Sequence, residues 1–351
     1  MKPKRERILE LRALGKSDRE IMDAVGYQTL SGVRGVASRA RRASVIQDDL
    51  YYPSARDIND NDEWAEYLKF ATKRDRMLKI FFWPDMHIPD TNWQAVELAR
   101  KIRKAVRPDV DFFLGDEHDL DTVSTHWARA ENRKRVDAFH EIKYPWNAFH
   151  DEIEADYKTD MKVMIGGNHT YARLENLINE KVPMFADTLI ETYIEIIRSN
   201  RRVKWLGWCD ENWINSYHIE HGTRTGENSA KNSLKDAGWS SPRTGGHVHS
   251  PSEAWNFGYT PSNNIQRPNR FIVQSVTLPC LCNIHPHYAG NKKKSRWING
   301  IGIAYVNLNG LDVHQHKVIF HTRSNGSMAA AFGSDEFIQS RIAEKQLRKA
   351  G

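Results

Sequence analysis

Val110-Asp-Phe-Phe-Leu-Gly115-Asp-Glu-His-Asp119 is the stretch of sequence around which the chain is organised. Its apolar run ends abruptly at Gly115, and Asp116 follows directly. The aromatic and β-branched residues of the run, together with the glycine that ends it, favour a buried strand over a short helix. A single Gly-Asp pair most often marks a turn. The same pattern recurs elsewhere in this chain, however, and we therefore expect Asp116 to stand at the rim of a sheet.

Four other segments end in residues that can bind a metal ion. Polar side chains of this kind follow the strands expected over 78–83, 161–165 and 213–220, and a glycine pair at 245–246. In chain order these side chains are Asp85, His87, Asn168, His169, His221, His247 and His249. Each residue has an ordinary structural explanation by itself, such as a helix cap, a turn or a core histidine. Five such segments in one chain predict a metal centre.

Ligand chemistry divides these residues into two sets. The carboxylate of Asp116 can bridge two cations; Asp85, His87 and His249 are candidates to complete the first, and Asn168, His221 and His247 the second. Mixed nitrogen and oxygen ligands suit Mn²⁺, Fe, Zn²⁺ or Ni²⁺ better than Mg²⁺ or Ca²⁺. We expect two divalent ions, with Mn²⁺ as the metal.

Two cations about 3.5–4 Å apart form a clamp for in-line displacement at phosphorus. His169 directly follows a candidate ligand, so it lies beside the metals without having to bind them. This position suits a general acid that protonates the leaving oxygen. The predicted chemistry is therefore hydrolysis of a phosphate ester.

With these five blocks, residues 78–320 resemble the calcineurin-like metallophosphoesterase superfamily. The resemblance implies an α/β fold, a two-sheet β-sandwich flanked by helices, and the metal ligands named above. It also implies that Asp119 orients His169, and it favours His221 over His218 because the block in the family is His-Gly. Leu120 stands where protein serine/threonine phosphatases have arginine, which disfavours that activity. Thr170 replaces the acidic residue that can end the third block.

Candidate substrate contacts are fewer. Arg173 follows the third block by a few residues, where it can reach a substrate phosphate or simply belong to a helix surface. His118 lies between the two acids of the second block and can face substrate or solvent. The run Lys292-Lys-Lys294, with Arg296 and Trp297, can contact a polyanion, although such runs are more often solvated surface.

The net charge of +6 resides in the N-terminal segment, because residues 1–43 hold eleven Lys and Arg against five acidic residues. Short amphipathic helices and a glycine turn, followed by a basic helix, have the proportions of a helix-turn-helix module. The segment also resembles helix-turn-helix regions of phage terminase small subunits. Its candidate DNA contacts are Arg34, Arg39, Arg41 and Arg42. The alternative is a solvated three-helix cap or a protein-docking module.

The domain organisation follows from these patterns. We expect the small all-α basic module over 1–43, an acidic linker and lead-in helix over 44–76, the metallophosphoesterase domain over 77–325, and a C-terminal helix or tail over 326–351, with the helix itself at 335–348. The apolar runs are too short to cross a bilayer. Three cysteines cannot form a full disulfide set, and they favour a reducing cytoplasm. The terminase-like N-terminal pattern suggests that this is the cytoplasm of a bacterium or of a phage-infected host cell.

The sequence thus predicts a two-metal phosphodiesterase acting on DNA, most simply a nuclease of the DNA-repair or phage type. The alternative is a phosphomonoesterase or small-nucleotide phosphodiesterase whose N-terminus docks a protein partner. A third possibility is a non-catalytic scaffold that keeps the metal centre for structure. A homo-oligomer is compatible with all three, and no membrane association is expected.

Overall fold

This computed structural model describes residues 24, 60–74, 76–120, 138–170, 173–174, 185–198, 203–208, 212–222, 228–236, 241–260, 269–284, 296–309 and 312–340. The chain divides into two units, residues 1–57 and 58–351, and apart from Ala24 every described residue belongs to the second. The helix-turn-helix module expected over 1–43, with Arg34, Arg39, Arg41 and Arg42, therefore lies outside the described residues, as does most of the acidic linker.

A six-stranded sheet forms the centre of the second unit. Its strands are β1 (Met77–Trp83), β2 (Val110–Phe113), β3 (Met161–Gly166), β4 (Val203–Trp208), β10 (Gly300–Asn307) and β11 (Val313–Ile319), in the spatial order β11-β10-β1-β2-β3-β4. Strands β1 to β4 are parallel to one another, whereas β10 pairs antiparallel with β1, and β11 pairs antiparallel with β10. All four parallel strands therefore end at the same edge of the sheet.

A second sheet has five strands. They are β5 (Asn212–Ile214), β6 (Tyr217–Glu220), β7 (Arg243–Gly245), β8 (Ser252–Thr260) and β9 (Asn269–Thr277), in the order β5-β6-β7-β9-β8. The single strand expected over 213–220 is a hairpin instead, because Asn215 adopts φ 55° and turns the chain between β5 and β6. Strands β6, β7 and β9 run parallel.

One hydrophobic core contains side chains from both sheets. From the first sheet it includes Ile80, Phe82, Val110, Phe112, Leu114, Val163 and Ile165, and from the second Ile214, Tyr217, Ile219, Val276 and Leu278. Because side chains alternate along a strand, Phe81, Trp83 and Phe113 project to the other face of the first sheet. The two apolar faces explain why β1 and β2 are almost wholly buried.

Five helices are described: α1 (Asn61–Thr72), α2 (Trp93–Val106), α3 (Ala138–Asp156), α4 (Ala186–Arg198) and α5 (Ser229–Asp236). Helix α3 covers the outer face of the first sheet, where the rings of Trp83 and Phe149 have centroids 5.0 Å apart and those of Phe113 and Trp146 5.2 Å. Helix α2 begins at a cap in which Asn92 accepts a hydrogen bond from the Ala95 amide. The predicted α/β class is confirmed.

The C-terminal prediction is wrong at its start. We expected a helix over 335–348, but Asp335–Gln339 is a strand, β14, in a three-stranded sheet with β12 (His321–Thr322) and β13 (Met328–Phe332). Gly333 adopts φ 63° in the turn that pairs β13 with β14. Glu336 and Gln339 favour helix by intrinsic propensity, and the pairing of β14 with β13 overrides it. Residues 341–351 lie outside the described part.

Over the described ranges, no helix combines the length and the apolar character needed to cross a membrane.

Candidate metal centre

The predicted ligands come together where strands of the two sheets end. Asp85 and His87 follow β1, Asp116 follows β2, and Asn168 and His169 follow β3. From the second sheet, His221 follows β6, whereas His247 and His249 follow β7. The backbone joins the loops directly, because the His87 amide donates to the Asp116 carbonyl at 2.9 Å and the Gly246 amide to the His221 carbonyl at 2.9 Å.

Left-handed backbone is concentrated in this cluster. Eight described residues other than glycine have positive φ, and five of them are predicted ligands: Asp85 at 47°, His87 at 52°, Asp116 at 52°, His247 at 69° and His249 at 58°. This conformation costs a non-glycine residue on the order of 1–3 kcal/mol, and residues that adopt it cluster at functional sites. The fold therefore holds these side chains in place against a local conformational preference.

Asp85, His87 and His249 form the first set. The Nε2 atom of His249 lies 3.3 Å from Asp85 Oδ1 and 3.1 Å from His87 Nε2. All three residues are almost completely buried. Burial acts to raise the pKa of Asp85, but the hydrogen bond and charge of His249 outweigh it, and the pKa is lowered.

Asp116, Asn168 and His221 form the second set. The Nε2 atom of His221 lies 2.8 Å from Asn168 Oδ1 and 3.1 Å from Asp116 Oδ2. Its Nδ1 is 3.0 Å from the Leu114 carbonyl oxygen, which can only accept, so Nδ1 carries a proton. Burial lowers the pKa of His221, but the charge of Asp116 and its hydrogen bond reverse this effect and raise it to about 9. Because Nδ1 keeps its proton on the Leu114 carbonyl, the Nε2 proton is the one that a bound cation would replace.

His247 completes the second set. Its Nδ1 is buried and has no hydrogen-bond partner among the described residues, while its ring centroid lies 5.4 Å from that of His221. Burial, followed by the charge of His221, lowers the pKa of His247 to about 4, so the ring is neutral at neutral pH. A buried, neutral and unpartnered imidazole nitrogen is an available ligand.

Two glycines allow the close packing of these loops. A Cβ atom at Gly246 would stand 2.7 Å from Asp85 Oδ2, and one at Gly167 would collide with the carboxylate and amide nitrogen of Asp116. Real Cβ atoms do not approach other atoms so closely. The glycines that precede His247 and Asn168 therefore make room for the carboxylates of Asp85 and Asp116.

His169, Asp119 and Arg173 lie beside the first set. Asp119 Oδ1 is 3.1 Å from His169 Nδ1, 3.1 Å from His87 Nδ1 and 2.7 Å from Arg173 Nη1. Burial acts to raise the pKa of Asp119, but the hydrogen bonds from His169 and His87 and the charge of Arg173 hold it well below its usual value. Asp119 thus contacts His169, the residue that it was predicted to orient. Arg173, proposed from sequence as a phosphate contact, is in the site and paired with Asp119.

The substrate contact considered for His118 is wrong. Its side chain is completely buried, its Nδ1 lies 3.0 Å from the Tyr193 hydroxyl, and its ring centroid lies 4.8 Å from that of Trp146. Burial lowers the pKa of His118 to about 3, so it is a neutral core residue. His218, the competitor of His221, packs its ring against Trp213, with centroids 4.5 Å apart.

Sequence reasoning missed some of the residues around the site. Cys282 Sγ lies 3.8 Å from His249 Nδ1, and Glu117 is a completely buried carboxyl whose pKa is raised well above its usual value by burial and then by the charge of Asp85. Trp297, noted in the sequence only as part of a basic run, has its ring centroid 4.2 Å from that of His249. The position of Glu117 next to Asp116 in the second block could have indicated from sequence that it lies near the site.

The arrangement fits divalent cations. Three groups of side chains have ligand atoms within 4.8 Å of one another in the described part of the chain: His87, His249 and Cys282; His87, Asp116 and His169; and Asp116, His221 and His247. Imidazole nitrogens and carboxylate oxygens converge here, and the unpartnered Nδ1 of His247 adds a further donor. Such a donor set can bind transition-metal ions.

Comparisons with known proteins do not indicate a function. No family model and no curated protein matches the chain. Among matching solved structures is a crystal structure with a TM-score of 0.27, 10% sequence identity and coverage of 69% of this chain and 99% of that one. A likeness at that level establishes neither fold nor function.

Proposed function

We propose that this protein is a two-metal-dependent phosphodiesterase of the calcineurin-like metallophosphoesterase type, and that its substrate is DNA. The proposal includes the family's two-sheet sandwich for the second unit and a DNA-binding helix-turn-helix segment at the N-terminus. Mn²⁺ is the metal we favour, with Fe, Zn²⁺ and Ni²⁺ as the alternatives that the donor set admits.

The observation that carries the proposal is the convergence of five separate chain segments at one edge of two sheets. Asp85, His87, Asp116, Asn168, His221, His247 and His249 come from those five segments, and five of the seven adopt a left-handed backbone. A structural role for each residue separately does not account for that concentration. A shared role as metal ligands, which requires a fixed geometry of the side chains, does account for it.

Cations held by these residues would act as Lewis acids toward a phosphoryl group and neutralise its charge. The protein's own part is to fix the ligands and orient the substrate. His221 is held by the Leu114 carbonyl, at 3.0 Å from its Nδ1, and His87 by Asp119, at 3.1 Å from its Nδ1. Arg173 adds a positive charge next to Asp119, which favours the approach of an anionic substrate.

His169 supplies the proton for the leaving oxygen. Its Nδ1 donates to Asp119 Oδ1 at 3.1 Å, so the proton that it can transfer is the one on Nε2. The His169 side chain is 34% exposed, in contrast to the 5% of His87. It is therefore the imidazole of this pair that a substrate can reach.

A DNA substrate accounts for both the basic N-terminal segment and the candidate metal centre. The net charge of residues 1–43 equals that of the whole protein, and basic helices bind phosphate backbones. A tethered DNA-binding segment would raise the effective concentration of substrate at the catalytic site. This explains why one chain combines a basic N-terminus with a phosphoesterase centre.

The decisive test is Mn²⁺-dependent hydrolysis of bis-p-nitrophenyl phosphate and of end-labelled single- and double-stranded DNA, with Asp116→Asn as the control. We expect turnover of both substrate classes and its loss in the Asp116 variant. Turnover of the small diester alone would instead support a small-substrate phosphodiesterase. No turnover of either substrate, with metal bound, would contradict the proposal.

The N-terminal contribution has its own test. A variant with Arg39, Arg41 and Arg42 changed to Gln should lose DNA affinity and keep its turnover of the small diester. Binding by the unchanged chain should also fall steeply as salt rises, since each phosphate contact releases counterions. Affinity that is flat between low and moderate salt would exclude the DNA-binding role.

A further inference from the structure

An aromatic side chain stands at the rim of the candidate metal centre. Trp297 makes an edge contact with His249, with ring centroids 4.2 Å apart and an interplanar angle of 74°. His249 in turn contacts His87 at 5.0 Å, and His87 contacts His169 at 4.9 Å. Trp297 and His169 therefore stand at opposite ends of a row of four rings.

The backbone of this segment is fixed to the site. The Ile298 amide donates to the His249 carbonyl at 3.0 Å, and the Ser250 hydroxyl donates to the Arg296 carbonyl at 2.9 Å. The Cys280 amide donates to the Ile298 carbonyl at 3.0 Å. Trp297 is thus held beside His249 from both sides.

The indole is only partly buried, and the neighbouring Arg296 is exposed. Arg296 directly precedes Trp297 in the chain, so the same loop offers a cation and a partly exposed indole. An aromatic face next to an arginine is the combination that binds single-stranded nucleic acid, the ring by stacking on a base and the cation by contacting phosphate. Lys292, Lys293 and Lys294 lie outside the described residues and are left out of this site.

We propose that Trp297 is a stacking platform for one nucleobase of the substrate strand, with Arg296 next to it contacting the backbone phosphate. This inference rests on the phosphodiesterase proposed above and specifies its substrate. Bases inside a duplex are stacked on both faces by their neighbours, so a base on Trp297 comes from a single strand or a frayed end. The enzyme is therefore selective for unpaired DNA.

The test compares two oligonucleotides of about twelve residues, one of thymidine and one with the same backbone but no bases. Cleavage is followed with Mn²⁺ and the full chain, in the unchanged protein and in Trp297→Ala, Trp297→Phe and Trp255→Ala. Trp255, 49% exposed on β8, is the matched control for loss of an exposed indole. The kcat for bis-p-nitrophenyl phosphate reports whether the metal centre is intact.

We expect Trp297→Ala to raise KM for the thymidine strand about tenfold, within the range known for base–aromatic stacking, and to leave the abasic strand unchanged. Trp297→Phe should stay within about twofold of the unchanged protein, because it keeps an aromatic face. Trp255→Ala should change neither substrate. Arg296→Gln should weaken both strands, since both carry phosphates.

Three results would overturn the inference. An equal rise in KM for both strands in Trp297→Ala, or a fall in its kcat for the small diester, would show that Trp297 only supports His249. Equal KM values for the two strands in the unchanged protein would show that no base is recognised, while the phosphodiesterase would stand. Absence of small-diester turnover in the unchanged protein would instead refute the proposed function itself.

Discussion

The Nε2 atoms of His87 and His249 lie 3.1 Å apart, although the two residues are 162 positions apart in the chain. His87 is oriented by Asp119 at its Nδ1, and His249 contacts Asp85 through the same Nε2. At most one proton fits between the two facing nitrogens. Two lone pairs that converge in this way are the arrangement expected of a pair of ligands to one cation.

We therefore expect His87→Ala and His249→Ala each to bind fewer Mn²⁺ ions than the unchanged protein. The reason is that each change removes a nitrogen donor from the same set. Metal content after gel filtration, together with calorimetric titration, measures the loss. His314→Ala, an exposed histidine on β11, is the control and should bind metal normally. Unchanged metal content in both site variants would exclude this set as a ligand group.

His169→Ala should keep its metal and lose rate in a way that depends on the leaving group. A poor leaving group such as an alkoxide needs a proton, whereas p-nitrophenolate leaves without one. We expect a fall of about 10²–10⁴-fold on an alkyl phosphodiester and a much smaller fall on bis-p-nitrophenyl phosphate. Equal losses on both substrates would mean that His169 binds substrate or metal and does not protonate the leaving oxygen.

A buried ion pair fixes the sheet on which the site is built. Arg103 on α2 donates through Nε and Nη2 to the two carboxylate oxygens of Asp111 on β2, at 2.7 and 2.6 Å, and both residues are almost fully buried. Asp111 also accepts from Trp83 Nε1 at 3.0 Å and from the Thr159 hydroxyl at 2.9 Å.

Arg103→Met should lower the free energy of unfolding by about 3–5 kcal/mol, because it leaves the carboxylate of Asp111 without its charge partner. Urea denaturation gives the value. The control is Arg74→Met, whose partner Asp160 is exposed, and it should lose less than about 1 kcal/mol. Similar losses of unfolding free energy in the two variants would show that the buried ion pair stabilises the fold no more than the exposed one.

Two strands of the first sheet, β2 and β3, could be predicted because each is a short apolar run that leads into a glycine. The run before Gly115 and the run before Gly166 are strands, and each is followed by the residues singled out as ligands. The sequence also indicated Asp119 beside His169, and the two lie 3.1 Å apart. Local patterns are sufficient where a ligand directly follows a buried strand.

The features that were missed depend on contacts between distant parts of the chain. Val203–Trp208 is a short strand that forms only through pairing with β3, and no local pattern distinguished it. His118 resembled a site residue because it lies between two site carboxylates, but the chain turns it towards Tyr193 and Trp146. The contact of Trp297 with His249 joins two loops 48 positions apart.

His118 makes stability sensitive to acid. Its pKa is about 3 in the folded protein and about 6.5 in the unfolded chain, so the unfolded state binds more protons between these values. The contribution of neutral His118 to the free energy of unfolding is fully present above about pH 6.5. It is lost as the pH falls towards 3, by at most about 1.4 kcal/mol per pH unit. The free energy of unfolding of His118→Gln should therefore fall less between pH 7 and pH 5. Parallel pH curves for both proteins would contradict this.

His247 allows backbone strain to be separated from side-chain chemistry. At φ 69° an alanine keeps the strain, whereas glycine relieves it. Without added metal, the free energy of unfolding of His247→Gly should exceed that of His247→Ala by about 1 kcal/mol. Both variants should lose metal to the same extent, since neither carries an imidazole. Equal stability of the two would show that this backbone conformation costs nothing.

The left-handed residues of the candidate metal centre also imply how this chain would change if the proposed chemistry were no longer selected. Asp85, His87, Asp116, His247 and His249 are held in backbone conformations that glycine adopts more readily. Drift under selection for folding alone would therefore favour glycine at these five positions. In a descendant of this protein, glycine at these positions would indicate that the proposed chemistry had been lost while the fold was retained.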